Sequence, residues 1–151
     1  MSETYEGDLI RPLGLVTLYA AYAEGEIDEL LGALPSATPF DTQKRQWPVG
    51  QKLSCALKLV RLLKSGRLVG LTSSLKQAQA VFSERNNLVH SQIFAGRRVV
   101  SNRPDAAIHK VAPEDLVQLA EQIHACKEQL WMHRCKNLIP VLEGLKERDD
   151  V

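Results

Sequence analysis

The sequence lacks the features that would assign it to a membrane or secreted class. No uninterrupted apolar run approaches the roughly 20 residues needed to cross a bilayer. Residues 1–6 are acidic and lack the basic start and apolar core of a signal peptide. We therefore expect a cytoplasmic protein without a membrane partner. Cysteine is scarce, and an odd number of cysteines (Cys55, Cys126, Cys135) in a reducing compartment predicts free thiols in or near the core.

A strong charge of one sign is absent as well. The net charge of +1 argues against a general nucleic-acid coat protein, because such proteins carry a large basic excess. The charge is nevertheless unevenly distributed, since residues 85–110 hold five Lys and Arg residues against one acid, Asp105. A local basic patch suits contact with a few phosphates. Its candidate phosphate-binding residues are Arg97, Arg98 and Arg103; the alternative is a solvated loop with scattered arginines.

Motifs for metal, nucleotide or nucleophilic chemistry are missing. The residues that suggest a zinc cluster on paper are His124, Cys126, His133 and Cys135. Helical geometry separates His124 from Cys126 by roughly 200°, and Cys126 from His133 by about 10 Å of rise. Both separations are too large for one ion. The glycines within residues 66–70 lack the strand and the Lys-Ser of a Walker motif. No metal, cofactor or Ser/Cys nucleophile is therefore predicted.

Hydrophobic residues recur at helical spacing in four segments, which predicts four main helices. Their expected ranges are 8–34, 49–64, 68–91 and a long helix that begins at Pro113. Residues 35–50 are rich in turn-forming residues and are expected to form a loop. Pro140 cannot continue the helical hydrogen-bond ladder, so a kink or a break into a short tail helix is expected near Leu138.

These segments predict an all-α fold, an up-and-down bundle of four to five helices. A single domain is expected over residues 1–151, with its core at about residues 8–138 and an acidic C-terminal tail at residues 140–151. Two short β-prone runs, residues 92–94 and 98–101, follow the third helix and predict a small hairpin excursion.

The third helix carries an arginine where its pattern calls for an apolar residue. At spacings of 4 and 3, one stripe of this helix contains Leu71, Leu75, Ala78, Phe82, Arg85 and Val89. Arg85 is therefore expected to point inward, where a permanently charged guanidinium needs a carboxylate, carbonyls, a partner chain or a bound anion. Asn86 and His90 flank the stripe. A cation, an amide and an imidazole at one helix end suit phosphate chemistry.

A structural explanation of these residues remains open. Arg85 then extends to the rim of the bundle and pairs with an acidic residue; the candidates are Glu84, Glu24 and Glu26. His90 then caps the C-terminal end of its helix, where the helix dipole favours a cation. In that case neither residue takes part in chemistry.

The segment from Arg85 to His90, an arginine, four residues and a histidine, resembles the signature of the HEPN superfamily. These are small helical-bundle proteins of toxin-antitoxin and defence systems. The resemblance extends over roughly residues 8–135: an amphipathic helix pair, a polar residue directly after the arginine, a hairpin-like excursion, and a last helix opened by residues 112–116. The chain departs from the family downstream of His90, where Ser91-Gln92 replaces a frequent glycine.

The resemblance implies a metal-independent endoribonuclease that acts as a homodimer, with two copies of the motif facing each other across a cleft. RNA supplies its own nucleophile, the 2′-hydroxyl, so cleavage needs a base, an acid and positive charge near the phosphorus. The resemblance gives His90 the acid-base role, while Arg85 holds the phosphate and Asn86 orients it. It also implies an antitoxin partner, such as a minimal nucleotidyltransferase.

Two other classes of function stay open from the sequence. The first is a non-catalytic HEPN-like module that binds a nucleotide, RNA or a partner protein. The second is a purely structural helical adaptor in which Arg85 fixes the register of a dimer. Binding and cleavage ask for the same residues, so the sequence does not separate them.

Overall fold

The structure is a computed structural model. It describes the backbone of residues 3–89, 92–94, 97–99, 108–110 and 112–149, and the side chains of residues 9–88 and 112–148. The helices in these ranges are α1 (Glu3–Ala33), α2 (Thr42–Arg45), α3 (Val49–Leu62), α4 (Val69–Val89), α5 (Pro113–His133) and α6 (Ile139–Asp149). A 3₁₀ turn, Gly66–Leu68, precedes α4, and a π-helical segment, Arg134–Leu138, joins α5 to α6. The predicted all-α helical bundle is confirmed.

Helix α1 buries the hydrophobic residues that recur at helical spacing along it and form one stripe. The members of that stripe with no more than 5% exposure are Leu9, Val16, Ala20, Ala23, Ile27, Leu30 and Leu34. The helix ends at Ala33, before Pro35 as predicted, but it begins at Glu3 rather than near Asp8. The predicted loop that follows contains the one-turn helix α2, where the Asp41 carboxylate caps the N-terminus by accepting the N–H of Lys44 at 2.9 Å.

Helices α3 and α4 form an antiparallel hairpin. The turn between them is short, and the Ser65 hydroxyl caps it by accepting a backbone N–H at 3.3 Å. Gln79 of α4 donates to the Ser54 hydroxyl of α3 at 3.4 Å. Two turns after Gln79 along α4, Asn86 lines the same pocket as Gly50, which lies one turn before Ser54 on α3. The last turns of α4 therefore lie beside the first turn of α3.

The predicted break near Leu138 takes the form of a change in helix type. Across Arg134–Leu138 the hydrogen-bond pattern is π-helical, and Ile139 donates its N–H to the Arg134 carbonyl, five residues back. Pro140, which has no N–H, follows this wider turn. The residues predicted as a tail form α6, in agreement with the expected short tail helix, and their Val141 and Leu142 pack against the core.

The core lies between four helices. Helix α1 packs against α5 and α3, and α4 packs against the same two neighbours, so α1 and α4 occupy diagonal positions. The cysteines are free, as predicted: Cys126 is buried, while Cys55 and Cys135 are partly buried. Burial raises the pKa of the Cys126 thiol, which therefore stays protonated at neutral pH. In the described part of the chain, every helix is too short or too polar to cross a bilayer.

Three short strands follow α4: β1 (Gln92–Phe94), β2 (Arg97–Val99) and β3 (Ile108–Lys110). They form an antiparallel sheet in the order β1-β2-β3. β1 and β2 lie at or near the two β-prone runs, and the residues of the expected turn are outside the described ranges. The sequence analysis did not predict β3.

Candidate functional site

Arg85 lies in the second-last turn of α4 and is only partly buried. Its guanidinium carbon is 5.4 Å from the centroid of the Phe82 ring, which is a cation–π distance. Its Nε is completely buried and has no hydrogen-bond partner among the described residues. The other members of the stripe that the structure describes, Leu71, Leu75, Ala78 and Phe82, are at most 1% exposed. The side chain therefore leaves the core along the Phe82 ring instead of ending inside it.

Two of the acids proposed as structural partners of Arg85 are engaged elsewhere. Glu24 accepts a hydrogen bond from Lys52 Nζ at 3.2 Å. Glu26 accepts two hydrogen bonds from Arg134, at 2.6 and 3.3 Å. Among the described residues no carboxylate forms an ion pair with Arg85. The explanation of Arg85 by a salt bridge to Glu24 or Glu26 is therefore wrong.

Asn86 lines an open pocket of about 400 Å³ between α4 and α3. The pocket also contains Phe82, against which Arg85 packs, and Gly50 in the first turn of α3. That turn has no acidic residue and no side-chain cap, so its amides remain available. Free amides at the N-terminus of a helix favour an anion. The pocket thus combines an amide side chain, helix amides and, next to it, the guanidinium.

The remaining predicted residues lie at the edge of what is described or beyond it. His90 and Arg103 are outside the described residues. Arg97 and Arg98 lie on the central strand β2, where the register pairs Arg97 with Lys110 and Arg98 with His109. Basic residues therefore occupy paired register positions on β2 and β3.

The histidines of the apparent zinc pattern have other partners. The His124 ring lies 5.1 Å from the ring of Tyr19. His133 Nδ1 is 2.9 Å from Asn137 Oδ1. The His133 ring also fills the space beside Gly70, where an added Cβ would lie 2.5 Å from the ring. Within the described ranges, no three His, Cys, Asp or Glu side chains are grouped to hold a metal.

Two features were missed by the sequence analysis. The first is a pair of buried ionic contacts, Glu26 with Arg134 and Lys52 with Asp28 at 2.8 Å. Glu26 precedes the stripe residue Ile27, and its position four residues before Leu30 could have indicated a buried acid. The second is a basic surface around the α3–α4 turn. Its signal is the absence of any Asp or Glu from residues 42–83.

Comparisons of this chain with protein-family models, with curated proteins and with solved structures find no match.

Proposed function

We propose that the protein is a metal-independent endoribonuclease of the HEPN type that acts as a dimer in the cytoplasm, as the toxin of a toxin-antitoxin or defence system. The observation that carries the proposal is the state of Arg85. Its guanidinium is partly desolvated against Phe82 and is not neutralised by any described carboxylate. A cation held in this way is poised for an anion, because a phosphate would supply the missing partner.

The proposed chemistry is transesterification within RNA. The 2′-oxygen forms a bond to phosphorus while the bond to the 5′-oxygen breaks. The 2′-hydroxyl proton goes to one histidine, and the leaving 5′-oxygen takes a proton from another. Arg85 stabilises the charge that builds up on the phosphorane, and Asn86 orients the phosphate. The products are a 2′,3′-cyclic phosphate and a 5′-hydroxyl. The two histidines then regain their starting protonation states by exchanging protons with water.

The proposal needs a dimer, because one chain contributes a single histidine, His90, to the motif. A two-fold axis near the C-terminal end of α4 brings two copies of His90 and Arg85 together. We expect a dimer by light scattering across the micromolar range. The dimer should persist in Tyr22→Glu. The Tyr22 side chain is 53% exposed, and it belongs to α1, the helix that lies diagonally opposite α4.

Two results would contradict this arrangement. A monomer at every concentration removes the composite site. Loss of the dimer in Tyr22→Glu moves the interface to α1, whose neighbours are α3 and α5, and separates the two Arg85 side chains.

The direct test is incubation of the purified protein with single-stranded RNA in an excess of chelator. We expect fragments with 2′,3′-cyclic phosphate ends. These fragments should resist polyadenylation until a phosphatase that also opens cyclic phosphates has removed the phosphate and left a free 3′-hydroxyl. RNA that stays intact, or cutting that occurs only with divalent metal and leaves 5′-phosphates, would rule out the proposed mechanism. RNA that is bound but never cut would favour the non-catalytic RNA-binding module instead.

A further inference from the structure

The α3–α4 hairpin has a charge pattern that the Arg85 motif does not explain. Residues 42–83 contain eight Lys and Arg residues and no Asp or Glu, although the chain has 18 acids in total. Four of these cations cluster around the turn between the helices: Arg61, Lys64, Arg67 and Lys76. All four are exposed, and none forms an ion pair with another described residue.

These cations surround a pocket at the turn. The pocket has a volume of about 400 Å³ and is lined by Arg61, Lys64 and Lys76 together with the hydroxyls of Thr72 and Ser73. A second pocket of about 310 Å³ lies beside it, shares Lys64, and adds Arg67 and Arg148. Cations and hydroxyls around one cavity are the donors that phosphate oxygens accept from.

The pocket at the turn and the Asn86 pocket both lie between α3 and α4, and we call the surface between these helices the α3–α4 groove. Helix α4 contributes polar residues at spacings of three or four, which puts them on one face: Thr72, Lys76, Gln79, Ser83 and Asn86. Helix α3 contributes Arg61 at one end and Ser54 and Gly50 at the other. Thr72 and Asn86 are 14 positions apart, which corresponds to about 21 Å along the helix axis.

Lys64 is held in an unusual backbone conformation at this site. Its φ is 51°, in the left-handed region that glycine usually occupies after a helix. The N–H of Lys64 donates to the Arg61 carbonyl at 3.2 Å, so the turn connects two cations of the pocket directly. A non-glycine residue is uncommon in this conformation.

We propose that this α3–α4 groove binds the phosphodiester backbone of single-stranded RNA and leads it from the α3–α4 turn to the Arg85 end. This inference rests on the proposed function, for which the groove supplies the substrate-binding surface. A protein partner is less favoured, because protein interfaces are anchored by exposed apolar side chains. Among the residues that line the pocket at the turn, only Val69 is a strongly exposed hydrophobic residue, with 68% of its surface accessible.

The test measures binding without cutting. A fluorescent ten-nucleotide 2′-O-methyl oligouridylate has no free 2′-hydroxyl and stays intact, so fluorescence anisotropy reports affinity alone. With three phosphate contacts, from Arg61, Lys64 and Lys76, the slope of log affinity against log salt is about −2. Affinity should therefore fall roughly 20-fold when salt is raised fourfold.

Variants locate the binding surface. Arg61→Glu with Lys76→Glu should weaken binding at low salt by roughly tenfold or more and flatten the salt slope. The matched control is Arg11→Glu, which reverses an exposed arginine of α1 and should change affinity less than about twofold. Circular dichroism of both variants checks that they are folded.

Each outcome has a defined meaning. Weak, salt-independent binding by the wild-type protein overturns the inference whatever the variants do. So does equal weakening by Arg11→Glu, tighter binding of duplex RNA than of the single strand, or equal competition by an acidic peptide. If the charge reversals leave binding unchanged while RNA is still cut, the inference fails and the proposed function stands. If binding behaves as expected and RNA is never cut, the groove stands and the nuclease proposal falls.

Discussion

Arg85→Ala and His90→Ala should each lower the rate of RNA cleavage by a factor of about 10²–10⁴, the range typical for loss of one acid-base or charge-stabilising group. For Arg85 the physical reason is its lack of a described carboxylate partner, which leaves its charge for the phosphate. Rates are measured on one fluorescent single-stranded RNA under single-turnover conditions in chelator. A loss of only twofold for either variant would not support a catalytic role.

Matched variants control for contamination and for general effects of substitution. Arg11→Ala removes an exposed arginine of α1, and His124→Ala removes a histidine that lies beside Tyr19 and Glu128. Both should cut RNA within about twofold of the wild-type rate. If all four variants retain activity, the cleavage comes from a co-purifying nuclease and the proposed site is wrong.

The stability of Arg85→Ala independently tests whether Arg85 has a structural or a functional role. Its removal leaves no described buried acid unpaired, and the lost contact with Phe82 is a cation–π interaction of about 0.5–2 kcal/mol, the range from exposed to desolvated sites. Relief of the buried Nε opposes that loss. We therefore expect the free energy of unfolding to change by less than about 1 kcal/mol. A decrease of several kcal/mol would show that Arg85 is a structural residue.

Arg134→Ala should have effects opposite to those of Arg85→Ala. It should greatly lower the free energy of unfolding and should not act directly on the Arg85 site. Arg134 holds the Glu26 carboxylate with two hydrogen bonds, and Glu26 is only 7% exposed. The hydrogen bond to Glu26 raises the pKa of Arg134, which therefore stays charged. Removing the cation leaves a buried, unpaired carboxylate, which typically costs about 3–5 kcal/mol.

Urea unfolding followed by circular dichroism measures this loss. The double variant Glu26→Leu, Arg134→Met should recover most of it, because an apolar pair of similar size needs no charge compensation. Arg134→Lys should recover only part, since a lysine cannot donate both bonds in one plane. A loss below about 1 kcal/mol for Arg134→Ala would show that solvent at Arg134, 17% exposed, already weakens the pair.

The helices were predictable from sequence because their signals are local. A hydrophobic residue every three or four positions buries one face wherever the helix packs, which explains the agreement for α1, α3, α4 and α5. Pro113 and Pro35 mark boundaries because proline lacks an N–H, independently of the fold. The start of α1 at Glu3 was missed because residues near it carry a weaker pattern.

Arg85 and Asn86 were also identified locally, as polar residues on or beside an apolar stripe. The sequence could say that a guanidinium there needs a partner, since its charge does not depend on the fold. It gave several possible acids and no means of choosing among them. The candidates Glu24 and Glu26 failed because Lys52 and Arg134 approach them more closely.

The tertiary structure alone decided which distant residues meet. Glu26 and Arg134 are 108 positions apart, and their contact follows from the packing of α1 against α5 rather than from any local pattern. The groove between α3 and α4 likewise exists only once the hairpin brings Arg61 and Lys76 around one cavity. Periodicity fixes which face of a helix is buried, because that depends on neighbours three or four residues away. The choice of opposing helix depends on packing across the whole core, and the local sequence pattern does not specify which helix that is.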